Sequence, residues 1–298
     1  MSNPQQAIRI GTMVGGNQPD PAGYLKKILP HGFESIQVTF WQEMNKELPT
    51  LAKQMKEAIG DADVTMSTLG IFGNPLEDGE IDKKTLKGWE TLIDHAHLFG
   101  ADTICGFTGR IRGKPIEQSL PQFTKVFSEL CKRAADLNVR LAFENCAMDG
   151  NWKTGDWNIA HSPDAWEMMF NAVPVKNIGL EWEPAHQMLN LIDPMPQIRK
   201  WANRIFHVHG KDATIRHDVI REHGINGKEH CVFMRTPGFG DTNWTDVISE
   251  LRLVKWTGSI DIEGWHDPVY RDALEMTGQV HAMNYLKRCR GGDFVENP

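Results

Sequence analysis

The sequence lacks long apolar runs and any excess of basic residues. None of its 298 residues lies in an uninterrupted apolar stretch of about 18, the length that a membrane-spanning helix requires, and the first residues contain no apolar core of signal-peptide length. Aspartate and glutamate number 39 against 32 lysines and arginines, so the formal net charge is −7. Proteins that bind nucleic acids or anionic membranes need a basic face. We therefore expect a cytoplasmic protein that binds neither nucleic acid nor membrane.

Paired cysteines and a glycine-rich phosphate loop are also missing. The five cysteines include no Cys-x-x-Cys pair, and their odd number prevents complete pairing within one chain, so we expect reduced, mostly buried thiols. Residues 11–17, which follow a candidate first strand, have neither the dinucleotide-binding nor the P-loop spacing of glycines. This counts against a nucleotide-binding open sheet. What the sequence does have in excess is 12 histidines and 10 tryptophans beside 3 tyrosines.

Short β-rich runs alternate with amphipathic segments of helical period along the whole chain. The predicted strands are 8–13, 35–40, 64–69, 103–107, 140–144, 178–183, 205–209 and 259–263. The predicted helices lie near 24–29, 48–59, 83–99, 116–137, 163–171, 194–202, 244–253 and 269–287. Ser162 and Asp193 stand before prolines, which predicts helix starts with a capping side chain.

Eight strand–helix alternations indicate a parallel sheet of the α/β class, and the count matches a closed (β/α)8 TIM barrel. The alternative is a doubly wound open sheet. We predict a single barrel domain over 1–298, with long loops at its C-terminal face and a short C-terminal tail at 290–298. The long segment 213–241 exceeds an ordinary loop and is typical of an active-site lid or a subunit-contact arm.

Four consecutive predicted strands end in side chains that can bind metal. These are Glu144, Glu183, His209 and Glu263. Barrel enzymes carry their chemistry at the carboxyl ends of the strands. Three carboxylates that converge there repel one another unless protons or a cation neutralise them. The set therefore predicts a divalent metal site, for which Mn²⁺ suits the oxygen-rich donors best and Mg²⁺ or Co²⁺ are alternatives.

The residues two positions before Glu183, His209 and Glu263 form a second layer of polar side chains on the same strands. Side chains alternate between the two faces of a strand, so this layer contains Glu181, His207 and Asp261. Barrel interiors normally hold bulky apolar residues. We expect these three side chains to orient the metal ligands by hydrogen bonds. A shift of register by one residue would turn Glu181 and Glu183 outward.

Taken together, the strand ends resemble the xylose isomerase-like TIM-barrel superfamily of sugar isomerases and epimerases. That family has Glu-Asn after one strand, Asp-Pro-x-His after the next, His-x-Lys-Asp after the next, and a final Glu. The corresponding segments here are Glu144-Asn145, Glu183-Pro184-Ala185-His186, His209-Gly210-Lys211-Asp212 and Glu263. Segment 237–244 also looks like the family's loop before the last helix–strand unit. Glu183 departs from the pattern, because the family usually has Asp at that position.

The resemblance implies that Glu144, Glu183, His209 and Glu263 bind the metal, and that His186 and Lys211 lie near the substrate. Enzymes of this type remove a proton next to a carbonyl group and form a metal-stabilised enediolate. Our hypothesis is that Glu144 and Glu263 exchange this proton as base and acid.

Two further substrate contacts are predicted from their positions. Trp152 lies in a polar, glycine-containing loop after the Glu144 strand, where an indole face can stack on a sugar ring or form an interface. His266 follows Glu263 on the same strand end.

The sequence leaves several functions open. A lyase that cleaves a 3-keto-glycoside would begin with the same proton removal, and the Glu183 replacement and tryptophan-rich loops keep it as the alternative. A metal-dependent endonuclease acting at abasic sites is disfavoured by the charge of −7. A sugar-binding scaffold would not need both Glu144 and Glu263. We expect a sugar, keto-sugar or glycoside as substrate, and a homo-oligomer or a complex with a partner subunit.

Overall fold

Eight β-strands form the centre of this computed structural model, which describes residues 7–298. They are β1 (Ile8–Gly15), β2 (Ser35–Trp41), β3 (Thr65–Phe72), β4 (Thr103–Gly106), β5 (Arg140–Glu144), β6 (Ile178–Trp182), β7 (Ile205–Gly210) and β10 (Gly258–Ile262). They close in the order β1-β10-β7-β6-β5-β4-β3-β2. The predicted (β/α)8 barrel is confirmed, and the open doubly wound sheet is excluded.

Helices separate the strands. They are α1 (Pro21–Ile28), α2 (Leu48–Ile59), α3 (Glu80–Phe99), α4 (Leu120–Asp136), α5 (Pro163–Ala172), α6 (Pro184–Leu189), α7 (Pro194–Trp201), α8 (His217–His223), α9 (Trp244–Leu253) and α10 (Glu275–Cys289). The predicted caps are present, since Ser162 accepts a hydrogen bond from the Ala165 amide and Asp193 accepts one from the Met195 amide. No helix within residues 7–298 combines the length and the apolar character needed to cross a membrane.

The segment that the sequence analysis described as a lid or arm contains regular structure. Strands β8 (Asp212–Ile215) and β9 (Val232–Arg235) pair as an antiparallel hairpin, and α8 lies between them. Neither these strands, of four residues each, nor the six-residue α6 was predicted. Most side chains of β8 and β9 are partly exposed, so these strands have no buried apolar run to recognise, and α6 spans fewer than two helical turns. The last helix also begins at Glu275, six residues later than the sequence pattern indicated.

The described chain divides into two compact units. The first unit comprises 7–12, Glu183–Ala202 and Val208–Pro298, and the second comprises Met13–Trp182 and Asn203–His207. In the first unit β10 pairs with β7 so that Asp261 lies opposite His209. In the second unit β5 pairs with β6 so that Glu144 lies opposite Glu181. Opposite residues of a parallel pair face the same side of the sheet, so each pair projects from one face.

A cluster of aromatic side chains joins helices α3 and α4 to strand β5 in the second unit. Trp89 of α3 and Phe127 of α4 meet edge to face with their ring centroids 5.6 Å apart, and Phe127 meets Phe143 of β5 at 4.7 Å. These side chains are fully buried. Edge-to-face pairs of this kind add to the free energy gained from burial alone. The cluster thereby anchors β5 one residue before Glu144.

All five cysteines are free, in agreement with the sequence analysis. Cys105, Cys131 and Cys146 are buried, and Cys231 and Cys289 are partly exposed. Burial raises the pKa of the Cys131 thiol to about 12. The thiolate is the reactive form of cysteine, so this side chain is chemically inert at neutral pH.

Gly179 in β6 has no room for a side chain. A Cβ atom there would lie 2.3 Å from the Arg204 carbonyl oxygen and 2.6 Å from the Phe206 ring, whereas one on Gly15 would meet nothing within 4 Å. Relief requires a backbone shift, so we expect Gly179→Ala to lower the free energy of unfolding by about 1–3 kcal/mol. Urea unfolding followed by circular dichroism measures this, with Gly15→Ala as the matched control. Equal stability of the two variants would contradict the prediction.

Candidate metal centre and active site

Three of the four predicted metal ligands meet in the first unit. Glu183 follows β6 and is the residue before α6, His209 lies in β7, and Glu263 follows β10. Each offers one ligand atom, and these atoms lie within 4.8 Å of one another. All three side chains are buried. The arrangement places two carboxylates and one imidazole in a space where water screens their charges poorly.

Lys211 supplies positive charge to this group. Its Nζ donates a hydrogen bond to Glu263 Oε1 at 3.0 Å and lies 4.0 Å from Glu183 Oε1. Burial alone would raise the pKa of Glu263. The charge of Lys211 and the hydrogen bonds from His209 and His266 instead hold that pKa well below its usual range. Glu263 is therefore ionised at neutral pH.

Two histidines that the sequence assigned to substrate binding join the same group. His186, in α6, has its Nε2 atom 2.9 Å from Glu183 Oε1 and 3.3 Å from Lys211 Nζ. Burial, and then the charge of Lys211, hold the pKa of His186 well below its usual range. It is therefore neutral at pH 7. His266 places its Nε2 atom 3.0 Å from Glu263 Oε1, and its side chain is 47% exposed, so it connects the buried group with solvent.

Two aspartates fix the loops around this group. Asp212 accepts hydrogen bonds from the backbone amides of Ala213 and Thr242 and from Trp244 Nε1. Asp267 accepts others from the amides of Thr236, Val269 and Tyr270. These contacts hold the chain that follows Lys211 and the chain that follows Glu263. Asp212 was part of a sequence motif without an assigned role. Asp267 was not singled out, because three of its partners are backbone amides and the fourth, Arg235, lies 32 positions away in the chain.

Glu144, the fourth predicted ligand, ends β5 in the second unit and is buried. Asn158 holds the chain on both sides of it, because its Nδ2 atom donates to the carbonyl oxygens of Glu144 at 2.8 Å and Cys146 at 2.7 Å. The Oδ1 atom of Asn158 accepts a hydrogen bond from Thr108 Oγ1 at 2.6 Å. Asn158 thus ties the end of β5 to the chain after β4. No pattern in the sequence pointed to Asn158.

The lower layer of polar side chains is buried as predicted. In the second unit, His207 Nδ1 lies 2.9 Å from Glu181 Oε1, and Gln37 Nε2 donates to the same oxygen at 2.5 Å. Asp261 is buried in β10 of the first unit. Glu181 therefore faces the barrel interior, and the outward register is excluded. That this layer orients metal ligands stays a prediction. Gln37 gave no signal for a partner so distant in sequence.

Trp152 occupies a different environment from the charged group. Its Nε1 atom donates to Glu117 Oε1 at 2.7 Å, and its side chain is partly exposed. Arg110, fully buried, donates to the carbonyl oxygens of Asn151, Trp152 and Lys114. This arginine fixes the loop backbone. The contact of Trp152 with substrate stays a prediction.

Removal of Lys211 tests whether it neutralises the buried carboxylates. Lys211→Met leaves Glu263 and Glu183 in place without the ammonium group. We expect the free energy of unfolding of the metal-free protein to fall by about 3–5 kcal/mol, the cost of breaking a buried ion pair. The control is Arg199→Met, which removes an exposed partner of Glu250 and should leave stability nearly unchanged. Chemical denaturation in chelator measures both, and equal effects would contradict the prediction.

Comparison with known sequences yields distant but extensive matches. The chain is 24% identical to protein YfiH of Bacillus subtilis (strain 168) over 246 residues, which cover 71% of this chain and 74% of YfiH. It is also 24% identical to an inosose dehydratase of Clostridium tetani (strain Massachusetts / E88) over 184 residues, 58% of this chain and 56% of that protein.

Solved structures share the fold at lower identity. A xylose isomerase domain protein from Planctomyces limnophilus superposes with a TM-score of 0.72 and 15% identity, over 95% of this chain and 97% of that one. The 3-keto-D-glucoside 4-epimerase of E. coli gives a TM-score of 0.68 and 15% identity, over 95% and 100%. The family model described as xylose isomerase-like TIM barrel matches residues 25–289. The chain belongs to the xylose isomerase-like TIM-barrel family.

Proposed function

We propose that the chain is a divalent-metal-dependent enzyme that isomerises or epimerises a sugar by moving a proton on the carbon next to a carbonyl group. The observation that carries the proposal is the buried group of Glu183, His209 and Glu263, with Lys211 in contact with it. The related inosose dehydratase and the structurally similar 3-keto-D-glucoside 4-epimerase support a reaction on a sugar or cyclic polyol with a carbonyl group.

The donor set fits a divalent cation. Glu183 and Glu263 provide carboxylate oxygens and His209 provides an imidazole nitrogen, all within 4.8 Å of one another. We propose Glu144 as the fourth ligand, since it too stands at the carboxyl end of a barrel strand. Oxygen-rich sets of this kind suit Mn²⁺, or Mg²⁺ and Co²⁺. When bound, the cation supplies Lewis acidity that stabilises the negative charge of an enediolate.

The proton would be carried by Glu144 and Glu263. Glu263 is ionised at neutral pH because Lys211, His209 and His266 lower its pKa, so it can accept a proton from carbon. For epimerisation, Glu144 would deliver a proton to the opposite face of the same carbon, so that one proton is removed and one is returned. Its position on a strand well separated from β10 in the barrel suits that role.

The remaining polar side chains would hold the substrate. Lys211 Nζ, which donates to Glu263 and lies 3.3 Å from His186 Nε2, would also donate to a sugar oxygen when the substrate is bound. His186 is neutral and buried beside Lys211. Its imidazole can donate a hydrogen bond to a hydroxyl group of the substrate or accept one from it. His266, at the solvent-facing side of Glu263, would meet the substrate as it enters. Trp152 remains a candidate for stacking.

Elimination is the second candidate. The related inosose dehydratase suggests it, because a dehydration can begin with removal of the same kind of proton and end with loss of a leaving group from the next carbon. A lyase that cleaves a 3-keto-glycoside would differ only in the leaving group. His266, 3.0 Å from Glu263 and half-exposed, could protonate that group. Released water or aglycone distinguishes elimination from epimerisation.

Exchange of carbon-bound hydrogen tests the proposed reaction. Ketoses and 3-keto-glucosides are incubated in deuterated water with Mn²⁺, and ¹H NMR follows deuterium uptake next to the carbonyl group. The amide of Glu263→Gln cannot accept the proton, so we expect the exchange rate to fall about a hundredfold or more. A far-ultraviolet circular dichroism spectrum like that of the wild-type protein would verify the fold of the variant. Exchange at the wild-type rate would contradict the role of Glu263.

Replacement of His209 tests the metal site itself. His209→Asn removes one donor, so we expect the dissociation constant for Mn²⁺ to rise about a hundredfold or more, since loss of even an outer partner of a metal ligand costs 10–100-fold. The control is His223→Asn, an exposed histidine of α8. Isothermal titration calorimetry gives both values. Equal Mn²⁺ affinity in the two variants would place the site elsewhere.

A further inference from the structure

Aromatic side chains occupy the carboxyl ends of three neighbouring strands in the second unit. Trp41 ends β2, Phe72 ends β3, and Phe107 follows β4 directly. Trp157, from the loop after β5, packs against the group formed by Phe72, Phe107 and Cys146. We call Trp41, Phe72, Phe107 and Trp157 the aromatic patch. It lies at the barrel end where Glu144 also stands, and that end carries the chemistry in enzymes of this fold.

The patch presents ring surface to solvent. Trp41 and Trp157 lie with their ring centroids 5.4 Å apart at an interplanar angle of 39°, and Trp41 meets Phe107 edge to face at 6.2 Å. Phe72 and Phe107 are buried beneath, whereas Trp41 is 50% exposed. A half-exposed tryptophan backed by buried rings forms an open apolar surface. Rings bind to such surfaces by stacking or edge-to-face contact.

Hydrogen bonds on both sides hold Trp157 in place. Asn74 Nδ2 donates to the carbonyl oxygen of Asp156 at 3.1 Å, and Asn158 is bonded to Thr108 and to the carbonyl oxygens of Glu144 and Cys146. The residues before and after Trp157 are therefore fixed to neighbouring strand ends. A surface that is ordered before binding loses little conformational entropy when a ligand arrives. This rigidity favours a binding surface over a loosely packed loop.

The aromatic patch begins beside the strand that carries Glu144 and contains few polar atoms. Phe107 follows β4, the strand next to the one that carries Glu144, and Trp41 ends β2, two strands further. The rings of the patch offer only two indole N–H groups as polar atoms. They cannot satisfy the several hydroxyl groups of a second sugar.

We propose that the aromatic patch binds a planar aromatic group joined to the reacting sugar, so that the substrate is an aryl glycoside with a carbonyl group on its sugar ring. This proposal rests on the proposed function, and it adds the chemical class of the group attached to the sugar. The sugar would lie beside Glu144, at the end of β5 in the same unit, and the aryl group would lie against Trp41 and Trp157. Trp41 is then a specificity residue that contacts substrate away from the reacting carbon.

A pair of probes isolates the contribution of the aryl group. Phenyl β-D-glucopyranoside and methyl β-D-glucopyranoside share the sugar and differ in the attached group. Isothermal titration calorimetry of the Mn²⁺-loaded protein should show about tenfold tighter binding of the phenyl compound, the gain expected from aromatic contact. Trp41→Ala should abolish this preference, and Trp41→Phe should retain most of it. Leu137→Ala, at a similarly exposed apolar residue after α4, should leave it unchanged.

The outcomes separate this proposal from the proposed function. Equal binding of both probes, no binding of either, or a phenyl preference that survives Trp41→Ala would overturn the aryl subsite. So would sedimentation showing that Trp41→Ala dissociates an oligomer, because the patch would then be a contact between copies. A phenyl preference lost in Trp41→Ala, together with absent deuterium exchange on keto-sugars, would sustain the subsite and overturn the proposed reaction.

Discussion

Two buried carboxylates beside one ammonium group impose the main constraint on this structure. Glu183 and Glu263 lie out of contact with bulk water, and Lys211 is bonded to Glu263 at 3.0 Å and lies 4.0 Å from Glu183. Neither carboxylate could remain ionised there without a nearby cation. Burial, and then the charge of Lys211, hold the pKa of His186 low, whereas the pKa of Glu263 is low because the charge of Lys211 and the neighbouring histidines outweigh the effect of burial. A bound divalent cation would neutralise the same two carboxylates with more positive charge than the ammonium group carries.

The two compact units contribute different chemistry to the strand ends. In the first, Glu183, His209, Glu263 and Lys211 form a charged group, and Asp212 and Asp267 fix the loops around it by accepting backbone hydrogen bonds. In the second, Glu144 stands on a strand whose neighbours end in aromatic rings. Polar atoms suit the recognition of a sugar, and rings suit an attached apolar group. The charged group is the basis of the proposed reaction, and the aromatic rings are the basis of the proposed aryl subsite.

The sequence predicts the elements that have a clear period or a clear strand end. The bounds of α2 and α9 agree with the prediction because their apolar faces repeat every three to four residues. Glu183, His209 and Glu263 could be predicted to converge because the carboxyl ends of parallel strands share one end of a barrel. The hairpin β8–β9 could not be predicted, because most of its side chains are partly exposed, and α6 could not, because it spans fewer than two helical turns. Residues that act through backbone contacts, such as Asn158, gave no pattern.

The ring contacts of the aromatic patch could not be predicted from the sequence either. Tryptophan in a glycine-containing loop indicated a role for Trp152, whereas the ring contacts of this region join Trp157 and Trp41, 116 positions apart by their numbering in the chain. Only the barrel order, which brings β2, β3 and β4 side by side, makes that pairing visible. Predicting it would have required the register of each strand end.

The proposed metal site can be observed directly in an anomalous difference map from crystals grown with Mn²⁺, recorded at a wavelength where manganese scatters anomalously. We expect one strong peak coordinated by Glu183, His209 and Glu263, with Glu144 as the fourth protein ligand. A map with no peak at these side chains, and with Lys211 still bonded to Glu263, would contradict it. The carboxylates would then be neutralised by the protein alone.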